Sequence, residues 1–221
     1  MEQIDFMKAV KMCFNELPNK VFFKVADAED VLERALKWRF GLTGETYVYN
    51  PVYKEVADWL SDNKGKGLFM FGHCGQGKTI LAHYILPAIF SYYVKPSKVM
   101  NYYPMVEANT KVDEVLKHHI ICLDDVGVEE QYVEYGFKRN SFSEIMDAVE
   151  QKGKLVVITT NLSPEEIEAR YGTRTIERII ATCRPICFNM CENYAQCKRD
   201  KMKEPTECEN CNRFKPNSFR K

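Results

Sequence analysis

Leu68-Phe69-Met70-Phe71 followed by Gly72-His73-Cys74-Gly75-Gln76-Gly77-Lys78-Thr79 is a short apolar strand running into G-x-x-x-x-G-K-T, the phosphate-binding P-loop. Its glycines let the backbone turn so that successive N–H groups point at phosphate oxygens. The helix that follows, Thr79-Ile80-Leu81-Ala82-His83-Tyr84-Ile85-Leu86, starts where its own unsatisfied amides add to them. Gly72 through Ile80 are therefore candidates for holding a nucleotide, with Lys78 on the β- and γ-phosphates and Thr79 on a magnesium ion. The cofactors this predicts are ATP and Mg²⁺. A Gly-rich turn with an incidental lysine would lack the strand before it and the helix after it.

The bulk properties limit what surrounds this loop. At 221 residues the chain reads as one domain with tails, ample for a buried core. Lys and Arg number 31 and Asp and Glu 31, so no global field draws the chain to nucleic acid; a DNA contact must come from a local patch. Glu2 and Asp5 stand early with no apolar run behind them, and nowhere do eighteen apolar residues follow one another. The expectation is a cytoplasmic protein with no membrane partner. Six of the nine cysteines crowd into the last forty residues, a distribution that reads as metal ligation rather than disulfide stapling.

Along the chain, residues 1–45 read as a helical N-terminal segment: Ile4, Met7, Val10, Phe14 and Leu17 at helix spacing, then a second helix with Asp27 as its cap and Val31, Leu32, Ala35 and Trp38 apolar. Gly41 and Gly44 break that pattern. A helix over 51–61 leads through Asn63-Lys64-Gly65-Lys66-Gly67 into the P-loop strand. Strand-like runs recur at 98–103, 119–123, 155–160 and 186–190, separated by helical ones around 112–117, 137–152 and 165–182. This alternation predicts an α/β P-loop NTPase core over 46–190 with a parallel sheet covered on both faces, followed by a Cys-rich basic tail over 191–221.

Three further motifs carry chemistry. His119-Ile120-Ile121-Cys122-Leu123-Asp124-Asp125 is an apolar strand ending in two carboxylates. In a P-loop enzyme Asp124 is placed to hold magnesium through its water shell, and Asp125 to orient or deprotonate the attacking water. Leu155-Val156-Val157-Ile158-Thr159-Thr160-Asn161 ends at the same edge of a parallel sheet, where ligands sit. Asn161 is either a residue that holds water or senses the γ-phosphate, or the cap of the helix starting near Ser163. In Tyr171-Gly172-Thr173-Arg174-Thr175-Ile176-Glu177-Arg178, the two arginines lie four apart on one helix face. They read as a solvated basic face or as cations offered to a neighbouring subunit's γ-phosphate.

Taken together, these four motifs in this order resemble the AAA+ ATPases of the DnaC/IstB type, bacterial helicase loaders and transposition ATPases. The likeness spans about residues 50–190. It implies a five-stranded core with the Asn161 strand between the P-loop and Asp124 strands, ATP hydrolysis in a homo-oligomer, and Arg178 as the arginine finger with Arg174 as accessory. It also implies a replicative helicase, or alternatively a transposase, as partner, and DNA contacted through a local basic patch. Asp125 is shorter than the Glu common at that place in AAA+ proteins. The helical lid and its sensor arginine have no clear counterpart, with Arg184 or Arg199 the nearest substitutes. Two readings of other classes stay open: an ATP-gated adaptor of negligible turnover that binds its partner through residues 1–40, and a small-molecule kinase, which lacks an arginine-rich lid.

In the tail, Cys208-Glu209-Asn210-Cys211 is a C-x-x-C knuckle, and Cys191 with Cys197 forms the other pair in a candidate Zn²⁺ site. Cys183 and Cys187 read as small buried hydrophobes at the end of a helix and in the last strand. Lys198, Arg199, Lys201 and Lys203 make this segment either a basic knob for phosphate backbone or a solvated terminus.

Overall fold

A computed structural model describes residues 20–44, 47, 49–94, 99–129, 132–134 and 137–188. The expected helix over 4–17 and the Cys191, Cys197, Cys208 and Cys211 set lie outside these residues. The chain enters through alternating Val21, Phe23 and Val25, which are buried. Asn63 pins this segment: its Oδ1 accepts from Phe23 N at 3.0 Å and its Nδ2 donates to Val21 O at 2.9 Å. Helix α1 (Ala28–Thr43) and helix α2 (Val52–Ser61) follow. Strand β1 (Gly67–Gly72) feeds the P-loop and a helix in three parts: α3 (Lys78–Ile80), a π-helical turn (Leu81–Ile85) and α4 (Leu86–Tyr93).

Next come β2 (Asn101–Pro104), the short helices α5 (Met105–Ala108) and α6 (Val112–Val115), and β3 (Ile120–Val126). A small antiparallel hairpin, β4 (Tyr132–Glu134) and β5 (Phe137–Arg139), precedes α7 (Ser141–Lys152). The chain then runs through β6 (Leu155–Thr160), α8 (Pro164–Tyr171), α9 (Thr173–Thr182) and β7 (Cys183–Phe188).

The five long strands form one parallel sheet in the order β2-β3-β6-β1-β7. Strands buried on both faces need continuous apolar runs, and side chains then alternate between two cores. Leu68, Met70, Cys122, Val157 and Ile186 point to the face covered by α1, α2 and α4. Phe69, Phe71, Leu123, Val156 and Ile158 point to the face covered by α6, α7, α8 and α9. Phe23 stacks edge-on against both Trp59 and Phe90, at 5.1 and 4.8 Å between ring centroids, and so closes the first core. The predicted α/β fold with a five-stranded parallel sheet and β6 between β1 and β3 is what forms.

Several local expectations change. The helix expected from Phe137 starts at Ser141, because Asn140 caps it by accepting from Ser143 N at 3.2 Å, and Phe137 belongs to the hairpin. The helix expected over 165–182 breaks at Gly172, whose φ of 90° suits a residue with no Cβ. The last strand begins at Cys183, three residues before its expected start, so Cys183 and Cys187 share it. Helix α1 continues through Gly41 and stops at Gly44, which takes the left-handed conformation (φ 68°) typical of a C-terminal cap. Asp27 stands at its start but makes no capping bond with its side chain. Trp38 is 64% exposed although it continues the apolar spacing of Val31, because this part of α1 meets the core through Leu36 and Phe40 instead.

Candidate functional site

Parallel strands deliver their C-terminal ends to one edge, and the order β3-β6-β1 sets three loops side by side there. Cys74, Gly75 and the run from Gly77 to Ile80 line a cleft of about 310 Å³ together with Asp125 and Asn161. The loop has the shape of an anion cradle: Gly75 and Gly77 have φ of 78° and 87°, and a Cβ at Gly77 would meet the Tyr53 hydroxyl at 3.3 Å. Gly72 (φ 131°) is closed against the last strand, where a Cβ would meet Phe188 O at 2.3 Å. His73 N donates to that same carbonyl at 3.1 Å, fixing the loop's entry. Gln76 is buried behind the loop.

Lys78 is 4% exposed, and its ammonium donates to Gly72 O (2.9 Å), His73 O (2.7 Å) and Asn161 Oδ1 (2.9 Å). All three acceptors are neutral. Burial lowers its pKa from 10.5 to about 8, against the opposing pull of Asp125, Cys74 and Asp124. Asn161 therefore meets the P-loop lysine. The helix after it is capped instead by Ser163, whose side chain accepts from Glu166 N while Glu166 returns a bond to Ser163 N.

Asp124 is buried, with three hydroxyls on its carboxylate: Thr159 Oγ1 (2.5 Å) and Thr79 Oγ1 (3.2 Å) donate to Oδ1, and Tyr102 Oη (2.7 Å) to Oδ2. Asp125 is half-buried beside the cleft, in a left-handed backbone (φ 55°) where β3 loses register with β6. An L-residue pays for that conformation, though Asp tolerates it better than most. The threonines of β6 hold the irregular turn: Asp125 N donates to Thr159 Oγ1 at 2.9 Å, and Thr160 Oγ1 to Val126 O at 2.5 Å. Burial and then the neighbouring Asp124 raise the Asp125 carboxyl above the usual range, while Lys78 pulls it down. The Thr79 hydroxyl and Asp124 carboxylate supply the hard oxygens that suit Mg²⁺, with Asp125 open to the same cleft.

The turn beyond Asp125 is tied to α8. Gly127 N donates to Glu129 Oε2 at 2.8 Å, Tyr171 Oη donates to Glu129 Oε1, and Arg170 Nη2 donates to the Glu129 carbonyl. Burial and the Glu129 carboxylate push the Tyr171 phenol above its ordinary range.

The two arginines of α9 are placed very differently. The Arg178 side chain is 9% exposed: its Nε donates to Glu150 Oε2 at 2.8 Å and its Nη1 pairs with Asp147 Oδ1, both on α7. The Arg174 side chain is 75% exposed and lies 3.9 Å from Asp147 Oδ2. The structure thus brings Lys78, Thr79, Asp124, Asp125 and Asn161 together, and leaves Arg174 and Arg178 on α9. Arg184 is partly exposed, 3.9 Å from Asp58. Among the described residues no group of three or more His, Cys, Asp or Glu side chains could hold a metal, and no helix is long and apolar enough to cross a membrane. Burial raises the Cys183 and Cys187 thiols to about 12 and about 11, as suits packing residues rather than thiolate ligands.

Sequence reasoning missed Thr159, Tyr102, Glu129 and Tyr171 as partners of the acidic turn. Thr159 was within reach, since a threonine two residues before Asn161 must lie beside β3 once the sheet order is known. Tyr102 carries no such signal.

Comparison by sequence finds no match, either to a protein-family model or to a curated protein. Comparison of structures finds the crystal structure of the DnaC helicase loader, with a TM-score of 0.51 and 20% identity over 64% of this chain and 93% of that one. The crystal structure of DnaI matches with a TM-score of 0.51 and 19% identity over 73% of this chain and 91% of that one. The sheet order, the P-loop and these likenesses show an α/β P-loop NTPase fold shared with the DnaC and DnaI structures.

Proposed function

We propose that the chain binds Mg-ATP in the cleft at Gly72–Ile80, hydrolyses it weakly as a homo-oligomer, and uses the cycle to load or remodel a replicative helicase on DNA. The observation that carries this is the convergence of Lys78, Thr79, Asn161 and the half-buried Asp125 on one cleft, with Asp124 buried behind it and bonded to Thr79. In this reading Lys78 neutralises phosphate charge and Thr79 and Asp124 hold magnesium. Asp125 and Asn161 position the attacking water, and the arginines of α9 complete a neighbour's site. Arg174 already faces solvent; Arg178 reaches a neighbour only after leaving Asp147 and Glu150. The N-terminal segment over 1–45 is the part offered to the helicase, and the 191–221 tail is offered to one Zn²⁺ or to DNA.

The test combines nucleotide affinity, turnover with and without single-stranded DNA, and capture of a ring helicase by the full chain. Asp125→Asn is expected to bind ATP with wild-type affinity and to turn over about 10²- to 10⁴-fold more slowly, the usual worth of a positioned base. Normal turnover by that variant would assign the water to another residue. A second reading, an ATP-gated adaptor of negligible turnover, is favoured by the engagement of Arg178 within its own chain. Turnover that stays negligible at high protein concentration and with DNA selects it.

A further inference from the structure

We propose that Tyr102 is a positioning residue for the magnesium carboxylate of Asp124, and that His83 holds Tyr102 in place. This rests on the reading of Thr79 and Asp124 as the metal site. Tyr102 Oη is the only donor seen on Asp124 Oδ2 among the described residues, at 2.7 Å, while Oδ1 is shared by Thr159 and Thr79. The terminal torsion of an aspartate is broad, so donors on one oxygen alone leave the carboxylate free to swing. A donor on each oxygen fixes its plane. The phenol ring is covered on one face by the His83 ring, which lies flat on it, 3.9 Å between centroids and 8° between planes, and restrains its rotation.

His83 comes from the same helix that supplies Thr79, four residues on, and it lies within the π-helical turn Leu81–Ile85. A π-helical turn resets the direction of the side chains it contains and is frequent at functional sites. The P-loop helix therefore grips Asp124 twice: directly through the Thr79 hydroxyl and indirectly through His83 and Tyr102. The stack continues outward, with Tyr84 4.3 Å from His83 and the Arg39 guanidinium 4.4 Å from the Tyr84 ring. Arg39 belongs to α1, so the buttress is anchored on the helix that closes this side of the core. The rings and the guanidinium thus brace one another along the surface of the P-loop helix, where His83 and Tyr84 are exposed.

The Mg²⁺ dependence of fluorescent ATP-analogue binding to the full chain tests this, with no need for turnover. Partners that orient a metal-binding carboxylate typically govern 10- to 100-fold in metal affinity. Tyr102→Phe keeps the ring and removes the donor. It is expected to raise half-saturating Mg²⁺ about tenfold, with affinity in chelator unchanged. His83→Ala should raise it by a smaller factor, and His83→Phe, which retains stacking, should restore the wild-type curve. A Mg²⁺ curve for Tyr102→Phe that coincides with wild type overturns the proposal. So does an equal loss of affinity with and without Mg²⁺, the mark of a packing residue. Asp124→Ala separates the two levels of the argument. If it abolishes a Mg²⁺ response that wild type shows, the metal site stands and only Tyr102 is at issue; if wild type shows no response, the metal reading falls and takes this proposal with it.

Discussion

Lys78 and Arg178 are both buried cations, 4% and 7% exposed, yet their surroundings are opposite. Lys78 is held by two carbonyls and an amide oxygen, and its charge goes unneutralised by any direct partner. Arg178 is held by two carboxylates on one helix. A buried charge met only by dipoles is costly and is relieved by an arriving anion, which is why burial has already drawn the Lys78 pKa down to about 8. A charge met by two carboxylates has its anions in place. Burial alone therefore does not mark a binding cation; the neutrality of the acceptors does.

The largest expected effect concerns how far Arg178 is committed to its own chain. If the arginines of α9 serve a neighbour, Arg174→Ala/Arg178→Ala should bind ATP normally and lose on the order of 10³-fold in turnover. Mixing that variant with Lys78→Ala should restore activity at interfaces pairing an intact cleft with intact arginines. The single variants then divide the loss: one confined to Arg174→Ala keeps Arg178 a structural cation, and one confined to Arg178→Ala shows that Asp147 and Glu150 release it on assembly. Turnover that neither depends on concentration nor responds to either arginine breaks the oligomeric mechanism while leaving the P-loop intact.

Next in size is Lys78→Ala, for which a roughly 100-fold loss of ATP affinity is expected, since charge-assisted contacts to phosphate are about twice as strong as neutral ones and here lie in a dry site. Wild-type affinity in a nucleotide titration of this variant would remove the cleft assignment altogether.

The altered Lys78 pKa gives a sharper version of the same test. Between about pH 8 and 10.5 the unfolded chain binds a proton at Lys78 that the folded chain does not. Its contribution to stability therefore rises with pH through that window, and below pH 8 the full burial cost is in place. Bound phosphate favours the protonated lysine, so ATP affinity should be constant below pH 8 and fall by up to about tenfold per unit above it. Stability and affinity thus move in opposite directions over one pH range. Calorimetric titration at pH 7, 8 and 9 checks this, with Lys78→Arg, which stays charged, expected to flatten the profile.

What the sequence disclosed follows from how local each requirement is. The P-loop was legible because glycines at fixed spacing are a demand of the backbone itself, and the Asp124 strand because two carboxylates can follow four apolar residues only where a strand leaves the core. Asn161 could not be separated from a helix cap by sequence, since either role needs only an amide at that place; the Ser163–Glu166 pair decides it by taking the cap. Tyr102 stayed hidden because what it touches depends on the neighbouring strand, and Thr159 becomes legible only once the sheet order sets it beside β3. The β4–β5 hairpin was missed because Phe137 extends the apolar pattern of α7 backwards, and only the Asn140 cap separates them. Arg178 was read correctly as lying beside Arg174 on α9, but periodicity places a residue on a face without saying which acids wait across from it.

The smallest expected effect tests the structural side of the comparison directly. Removing Arg178 strands two carboxylates, and breaking a fully buried pair costs about 3–5 kcal/mol. Asp147 and Glu150, however, are 36% and 47% exposed at their side chains, so water recovers much of their solvation. The expected cost of Arg178→Ala is therefore about 1–2 kcal/mol, nearer the range of exposed pairs than of buried ones. In a chain of this size that lowers the thermal midpoint by roughly 2–8 °C. Arg174→Ala should change the stability by less than about 0.5 kcal/mol, as for a surface substitution without a close partner. Asp147→Asn/Glu150→Gln offers the converse: it leaves the guanidinium unneutralised, turning Arg178 into a cation of the Lys78 kind, and should destabilise the chain at low ionic strength while raising its affinity for phosphate at α9. Equal midpoints for Arg178→Ala, Arg174→Ala and wild type would mean that the carboxylates hold Arg178 too weakly to anchor α9. The distinction drawn between the two cations would then fail on the arginine side.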